Sequence, residues 1–185
     1  MNIESSPRRR YDLAAFRAAI GDIRVYDDPR QVELRSRDYF WYSPILSEDI
    51  GHLVGDIVVL PTDQGEVRTV LAAAARLRIP VTVRGGGTGN YGQCVPLEGG
   101  IVLDMTKIDR LLEIAPGRVR TEAGMRIARL DDAVRETGQE LLMYPSTAPS
   151  SRSIPLRSDP MPPEPPAKKP PMVAMRRVDG YISNS

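Results

Sequence analysis

Val81-Thr-Val-Arg-Gly-Gly-Gly-Thr-Gly-Asn-Tyr-Gly-Gln93 runs from a β-branched stretch straight into a loop of small residues. Gly87, Gly89 and Gly92 spell G-x-G-x-x-G, the spacing of a Rossmann dinucleotide loop. In such a loop the third glycine opens a helix whose N-terminus receives the pyrophosphate. Here Gly92 is followed by Gln-Cys-Val-Pro-Leu-Glu-Gly-Gly, so Pro96 and the Gly99-Gly100 pair stand where that helix would begin. The sequence also places no acidic residue at the end of a following strand, as the fingerprint asks. A Walker A loop is excluded because Gly-Lys-Ser/Thr does not occur. Two readings of the glycines remain open on their content alone. One is a flexible surface turn. The other is an anion nest, in which consecutive glycines take positive φ and turn successive N–H groups toward a phosphate. Arg84, at the strand end, is placed to support the loop or to balance a ligand's charge, and a branched side chain at Gly86 is expected to strain it.

The flanks predict an α/β frame. Ile57–Leu60 reads as a buried strand stopped by Pro61. Asp63 and Glu66 have capping-box spacing, and the helix they open carries Val67, Val70, Leu71, Ala74 and Leu77 on one face. Pro80 closes it and Val81–Val83 forms the next strand, a strand–helix–strand unit that implies parallel pairing. Ile101–Leu103, Leu111–Ile114 and Arg118–Thr121 read as further strands, the last two around a turn at Ala115-Pro-Gly117. Met125–Thr137 reads as an amphipathic helix through Ile127, Leu130 and Val134, stopped by Gly138, with a last strand at Glu140–Met143. In the first forty residues only Asp12–Ile20 carries a helical pattern.

Taken in order, Pro61, the Asp63–Leu77 helix, Ile79-Pro-Val-Thr-Val-Arg-Gly-Gly-Gly-Thr-Gly, Val95-Pro, Gly99-Gly-Ile-Val-Leu-Asp104 and Glu122-Ala-Gly-Met resemble the FAD-linked oxidases of the vanillyl-alcohol oxidase / p-cresol methylhydroxylase superfamily. The likeness runs from about Tyr39 to Thr147. It implies an α+β fold, a PCMH-type FAD-binding subdomain with a small mixed sheet and flanking helices. By the same resemblance Arg84, Gly85, Gly86, Gly87, Thr88, Gly89 and Asn90 wrap the FAD pyrophosphate, and Pro145, Ser146 and Thr147 approach the flavin ring. Some members tether flavin through a His directly after the glycines. Thr88 stands there, which implies non-covalent FAD. The resemblance assigns no catalytic residue.

The implied organisation is an N-terminal arm over 1–50, the first part of the FAD-binding domain over 51–147, and a tail over 148–185. More than half of the 17 prolines fall between Pro149 and Pro171, and with no helical or strand period there the tail is expected to be disordered. The family continues after Pro-Ser-Thr with a second flavin-binding stretch and a substrate domain, whereas this sequence turns to Ala148-Pro-Ser-Ser. A truncated or frameshifted reading frame is therefore expected, and the coding DNA would decide it. The functional expectation is the FAD-binding portion of an oxidoreductase acting on a small organic substrate. The alternative is a non-catalytic fragment, or an interaction module using Pro160-x-x-Pro163 or Pro163-x-x-Pro166.

Composition narrows the remaining classes. A net charge of +1 gives no electrostatic footprint for nucleic acid or an acidic membrane. No apolar run reaches the roughly 20 residues of a membrane span. Arg8-Arg9-Arg10 faintly resembles an export signal, but Arg17 interrupts the next apolar stretch. Cys94 and His52 are each the sole residue of their type, so thiolate or His-rich metal sites and disulfides are excluded and a cytoplasmic setting is expected. Trp41 and its aromatic neighbours are read as a hydrophobic anchor for the N-terminal arm, with contact to flavin or substrate as the alternative. Cys94 is read as a small buried residue, His52 as a surface or cap residue and Asp131-Asp132 as a solvated helix face. Neither Tyr91 nor Tyr144 is marked as an acid or base.

Overall fold

The computed structural model describes residues 11–141 and the strand Met175–Arg177, in two compact units divided after Ile108. The first unit is built on a four-stranded sheet: β1 (Val25–Tyr26), β2 (Ile57–Val59), β3 (Val81–Arg84) and β4 (Ile101–Asp104). Their order is β1-β2-β4-β3, with β1 antiparallel to β2 and both β2 and β3 parallel to β4. The strand–helix–strand unit is thus parallel, as expected, but its two strands do not pair. β4 lies between them. Every residue of β4 is buried, and a strand apolar on both faces is stable only at the centre of a covered sheet. β3 leaves Val83 55% exposed and takes the edge.

Side chains alternate across the sheet and meet a helical layer on each face. On one face Ile57, Val59, Ile101 and Leu103 pack with Phe16 and Ile20 of α1 (Leu13–Ile20) and Val70, Ala73 and Ala74 of α4 (Gln64–Leu77). On the other, Val58, Leu60 and Val102 pack with Val32 of α2 (Pro29–Arg35). The stripe on α4 is therefore Val70-Ala73-Ala74, flanked by Val67 and Leu77, and Leu71 lies outside it at 42% exposure. The cap is also shifted by one residue. Asp63 Oδ1 accepts from Glu66 N at 2.9 Å, but Glu66 Oε2 accepts from Thr62 N at 2.6 Å rather than from Asp63. Arg78, left-handed at φ 55, ends the helix before Pro80 is reached. A 3₁₀ turn at Phe40–Tyr42 and α3 (Pro44–Ile50) complete the connection from α2 to β2.

Gly100 shows why the pair before β4 must be glycine. Its φ is +76, and a Cβ there would run into the carbonyl oxygen of Pro80. That close approach lets Pro80 O accept from Ile101 N at 2.8 Å and sets the β3–β4 register.

The second unit opens with the antiparallel hairpin β5 (Leu111–Ala115) and β6 (Arg118–Thr121), turned at Gly117 with φ +76. It continues through α5 (Ile127–Arg135), two residues shorter at each end than expected, to β7 (Gln139–Leu141), which pairs antiparallel with β8 (Met175–Arg177). Leu130 and Val134 are the buried face of α5, and Gly138 at φ +72 stops it. Strand β8 lies within the stretch whose sequence shows no period; the rest of 148–185 and the expected strand end at Met143 lie outside the described residues.

Glu122 closes the hairpin. Its Oε1 accepts from Arg110 Nε at 3.0 Å and Nη2 at 2.7 Å, and its Oε2 accepts from Arg110 N at 2.8 Å. These side-chain bonds from Arg110, then the backbone bond, hold the carboxyl below its ordinary 4.5. A depressed folded value contributes stability above the unfolded pKa that is lost as pH falls through the folded one. Glu122→Gln is therefore expected to melt below wild type at neutral pH, with the gap closing as the medium is acidified below 4.5. Melting curves across that range check this, and a gap of constant size would count against it.

Candidate functional site

The glycine loop leaves the carboxyl end of β3, an edge where ligands of α/β sheets bind. Its entry is fixed by Arg84, whose Nη1 donates to Arg35 O at 2.8 Å and Arg37 O at 3.0 Å, while Nε and Nη2 reach Gly85 O and Gly86 O at 3.4 Å. Of the two roles open to Arg84, these bonds make it a support. Its guanidinium lies where a side chain on Gly87 would sit, and Gly87 takes φ +66. Gly85 and Gly86 do not share that conformation, so the run contains one left-handed residue rather than a series.

The far half of the loop is held as firmly. Tyr39 N donates to Gly89 O at 2.7 Å, Gly92 N donates to Asp38 Oδ1 at 3.2 Å, and Tyr91 N donates to Gln93 Oε1 at 3.0 Å. Between these anchors the backbone N–H groups of Gly86, Gly87, Thr88, Gly89 and Asn90 donate to nothing among the described residues. A Cβ at Gly85 would meet no atom within 4 Å, and one at Gly86 only Thr88 Cγ2 at 3.6 Å. Unpaired N–H groups beside open space on a braced loop suit a diphosphate, which needs donors and close backbone approach. The site therefore fits the cofactor that the resemblance implies.

Other residues fall into place around it. Asp104 does end the strand after the loop, contrary to the sequence expectation. It is buried and engaged, with Oδ2 on Arg35 Nε at 3.1 Å and Oδ1 on Thr106 Oγ1 at 2.6 Å, so it offers nothing to a ribose. Arg35 also stacks over Tyr26, its guanidinium carbon 4.6 Å from the ring centroid. Cys94 is buried, and burial pushes its thiol up against the opposing pull of Arg84. His52 and Tyr91 are exposed. Asp132 is exposed and Asp131 pairs with Arg135 at 2.8 Å. Within the aromatic cluster Phe40 is the buried member, while Trp41 stacks on Tyr42 with centroids 4.1 Å apart and about half of its surface in solvent. Tyr144, Pro145, Ser146 and Thr147 lie outside the described residues. No group of three or more His, Cys, Asp or Glu side chains is gathered to hold a metal, and no helix is long and apolar enough to cross a membrane, among the described residues. Sequence reading missed Asp38 and Tyr39, whose role depends on contacts made 50 or so residues away in the chain.

A mixed sheet with a braced glycine loop at the carboxyl end of β3, and no helix between that loop and β4, is not a Rossmann arrangement. The chain belongs to the family described as the FAD binding domain, whose model matches residues 55–152. Among curated proteins it is similar to the glycolate oxidase subunit GlcD of Escherichia coli K12, 41% identical over 80 residues, covering 42% of this chain and 16% of that protein. It is also similar to the D-lactate dehydrogenase of Archaeoglobus fulgidus, 41% identical over 90 residues, covering 48% of this chain and 20% of that one. The fold is shared with p-cresol methylhydroxylase at TM-score 0.58 and 19% identity, covering 74% of this chain and 26% of that one. Alkyldihydroxyacetonephosphate synthase also shares it at TM-score 0.58 and 20% identity, covering 67% and 26%. The matched stretch is thus a fifth or less of the two curated relatives' length. The α+β, PCMH-type class expected from the sequence is the class observed.

Proposed function

We propose that this chain supplies the FAD-binding portion of a flavin-dependent oxidoreductase whose substrate is a small 2-hydroxy acid. The observation that carries the reading is the row of unpaired N–H groups from Gly86 to Asn90 beside open space at Gly85 and Gly86. When bound, FAD supplies a two-electron acceptor for oxidation of a carbon–hydrogen bond next to oxygen. This chain's own residues bind and orient it: Gly86 to Asn90 through backbone N–H groups, Gly85 by leaving open space, and Arg84 by holding the loop entry, while Pro145, Ser146 and Thr147 are assigned to the flavin by the resemblance alone. The substrate class is supported by the two curated relatives, whose names specify glycolate and D-lactate.

Thr88 supports a non-covalent cofactor, because a hydroxyl lacks the nucleophilic nitrogen through which a His at that place forms a flavin bond. The balanced charge supports a small-molecule partner rather than a nucleic acid or membrane surface, and the single Cys94 supports a cytoplasmic setting. Titration of the purified chain with FAD tests the reading. Flavin fluorescence should be quenched saturably, and acid precipitation should leave all the flavin in the supernatant. A chain that leaves the fluorescence of added FAD unchanged would overturn the reading, and flavin pelleting with the protein would overturn its non-covalent part.

A further inference from the structure

We propose that Asp38 is a positioning residue that clasps the glycine loop from the N-terminal side of the fold and pre-forms the anion cradle, an assignment that rests on the FAD reading above. Asp38 lies before the 55–152 stretch that the family model matches. It is 5% exposed. Its Oδ1 accepts two backbone donors, Phe40 N at 2.9 Å and Gly92 N at 3.2 Å, and so joins the start of the 3₁₀ turn to the end of the loop. The adjoining Tyr39 N holds Gly89 O. Two residues earlier Arg37 O, with Arg35 O, receives Arg84. One short segment, 35–39, therefore grips the loop at its entry and at its exit and leaves Gly86 to Thr88 ungripped.

The second carboxylate oxygen explains a glycine that backbone conformation does not. Gly89 has no positive φ, yet a Cβ there would lie 2.9 Å from Asp38 Oδ2 and would collide with Gln93 Oε1. A side chain there would have to displace Gln93 first and Asp38 with it. Oδ2 itself is buried and carries no hydrogen bond. A carboxylate beneath an anion-binding loop opposes the anion electrostatically, so its place there follows from holding the backbone and not from touching the ligand. A braced loop loses less freedom when the ligand arrives, and that saving appears as affinity.

The full chain with Asp38→Ala and Asp38→Asn tests this in two arms. Without ligand, amide hydrogen exchange in Asp38→Ala should quicken about tenfold or more at the bonded amides of the clasp, Tyr39, Phe40 and Gly92, the scale of one lost buried acceptor. The central-strand amides of Val58 and Val102 should exchange as in wild type. In the second arm, FAD fluorescence quenching should show a dissociation constant raised about tenfold or more for the alanine variant, from lost pre-organisation. Asp38→Asn keeps an acceptor oxygen and should stay within about threefold of wild type in both arms. The clasp is overturned if the alanine variant exchanges the Tyr39, Phe40 and Gly92 amides at the wild-type rate, or if the central strands quicken equally. It is also overturned if asparagine behaves as alanine does. Unchanged FAD affinity in the alanine variant would overturn the positioning role. A wild-type chain that takes up no FAD would overturn the reading beneath it instead, and the exchange arm would still decide the clasp.

Discussion

Phe16→Ala is expected to destabilise the first unit by about 3–5 kcal/mol, the usual range for deleting a fully buried aromatic ring. Phe16 has no solvent exposure and packs in one cluster with Val70, Ala73 and Ala74 of α4 and Ile57 and Ile101 of the sheet. Alanine would leave a cavity bounded by two helices and a sheet, none of which can close it without breaking another contact. Native domains have only about 5–15 kcal/mol in total, so the loss is a large fraction of the whole. Urea denaturation checks this through the midpoint at unchanged slope. Leu34→Ala, on α2 and 42% exposed, serves as the control and should shift stability by no more than about 0.5 kcal/mol. The family match begins at residue 55, so the residues before it would be dispensable if the arm were an appendage. A midpoint for Phe16→Ala equal to wild type would mean that α1 does not belong to the core.

How much of this was legible in the sequence depended on how far apart the deciding residues lie. Strands β2 and β4, helix α4 and helix α5 were read because their apolar spacing is local and strong. Helices α2 and α3 were missed because each has 7 residues, and α3 buries none of them. Their signals were present but small. Asp28 accepts from Gln31 N ahead of Pro29, and Ser43 Oγ accepts from Leu46 N ahead of Pro44, the cap-then-proline start of a helix. The place of β4 between β2 and β3 was not legible from a strand–helix–strand count. It follows from which strand is apolar on both faces, and Ile101-Val-Leu103 carried that signal more strongly than Val81-Thr-Val83. The loop was legible as a helix-free glycine connection at the end of β3, from its glycines and from Pro96 and the Gly99-Gly100 pair after it. Which glycine turns left-handed was not, because the folded-back Arg84 side chain decides it at Gly87. Nor was the clasp: Asp38 and Gly92 are 54 residues apart, and no local spacing announces that they touch.

Gly86→Val should abolish FAD retention while leaving the apo fold almost unchanged, which separates the cradle from the scaffold. The sequence expectation was blocking of the ligand together with strain, and the geometry removes the strain. Gly86 lies outside the left-handed region, and its Cβ would meet only Thr88 Cγ2 at an ordinary 3.6 Å. The apo melting point should therefore move by the equivalent of less than about 1 kcal/mol, the range of an exposed substitution. The branched side chain would instead project into the open space beside the unpaired N–H groups, where a diphosphate must approach the backbone. Wild-type chain with FAD at 100 times its dissociation constant should gain about 2.7 kcal/mol of stability, and Gly86→Val should gain none. Gly87→Val makes the opposite control. Its φ of +66 and the Arg84 guanidinium in its side-chain space place about 1–3 kcal/mol of strain on the apo fold itself. Melting curves with and without FAD distinguish the two positions. If Gly86→Val keeps the wild-type shift on adding FAD, the diphosphate does not sit against this loop.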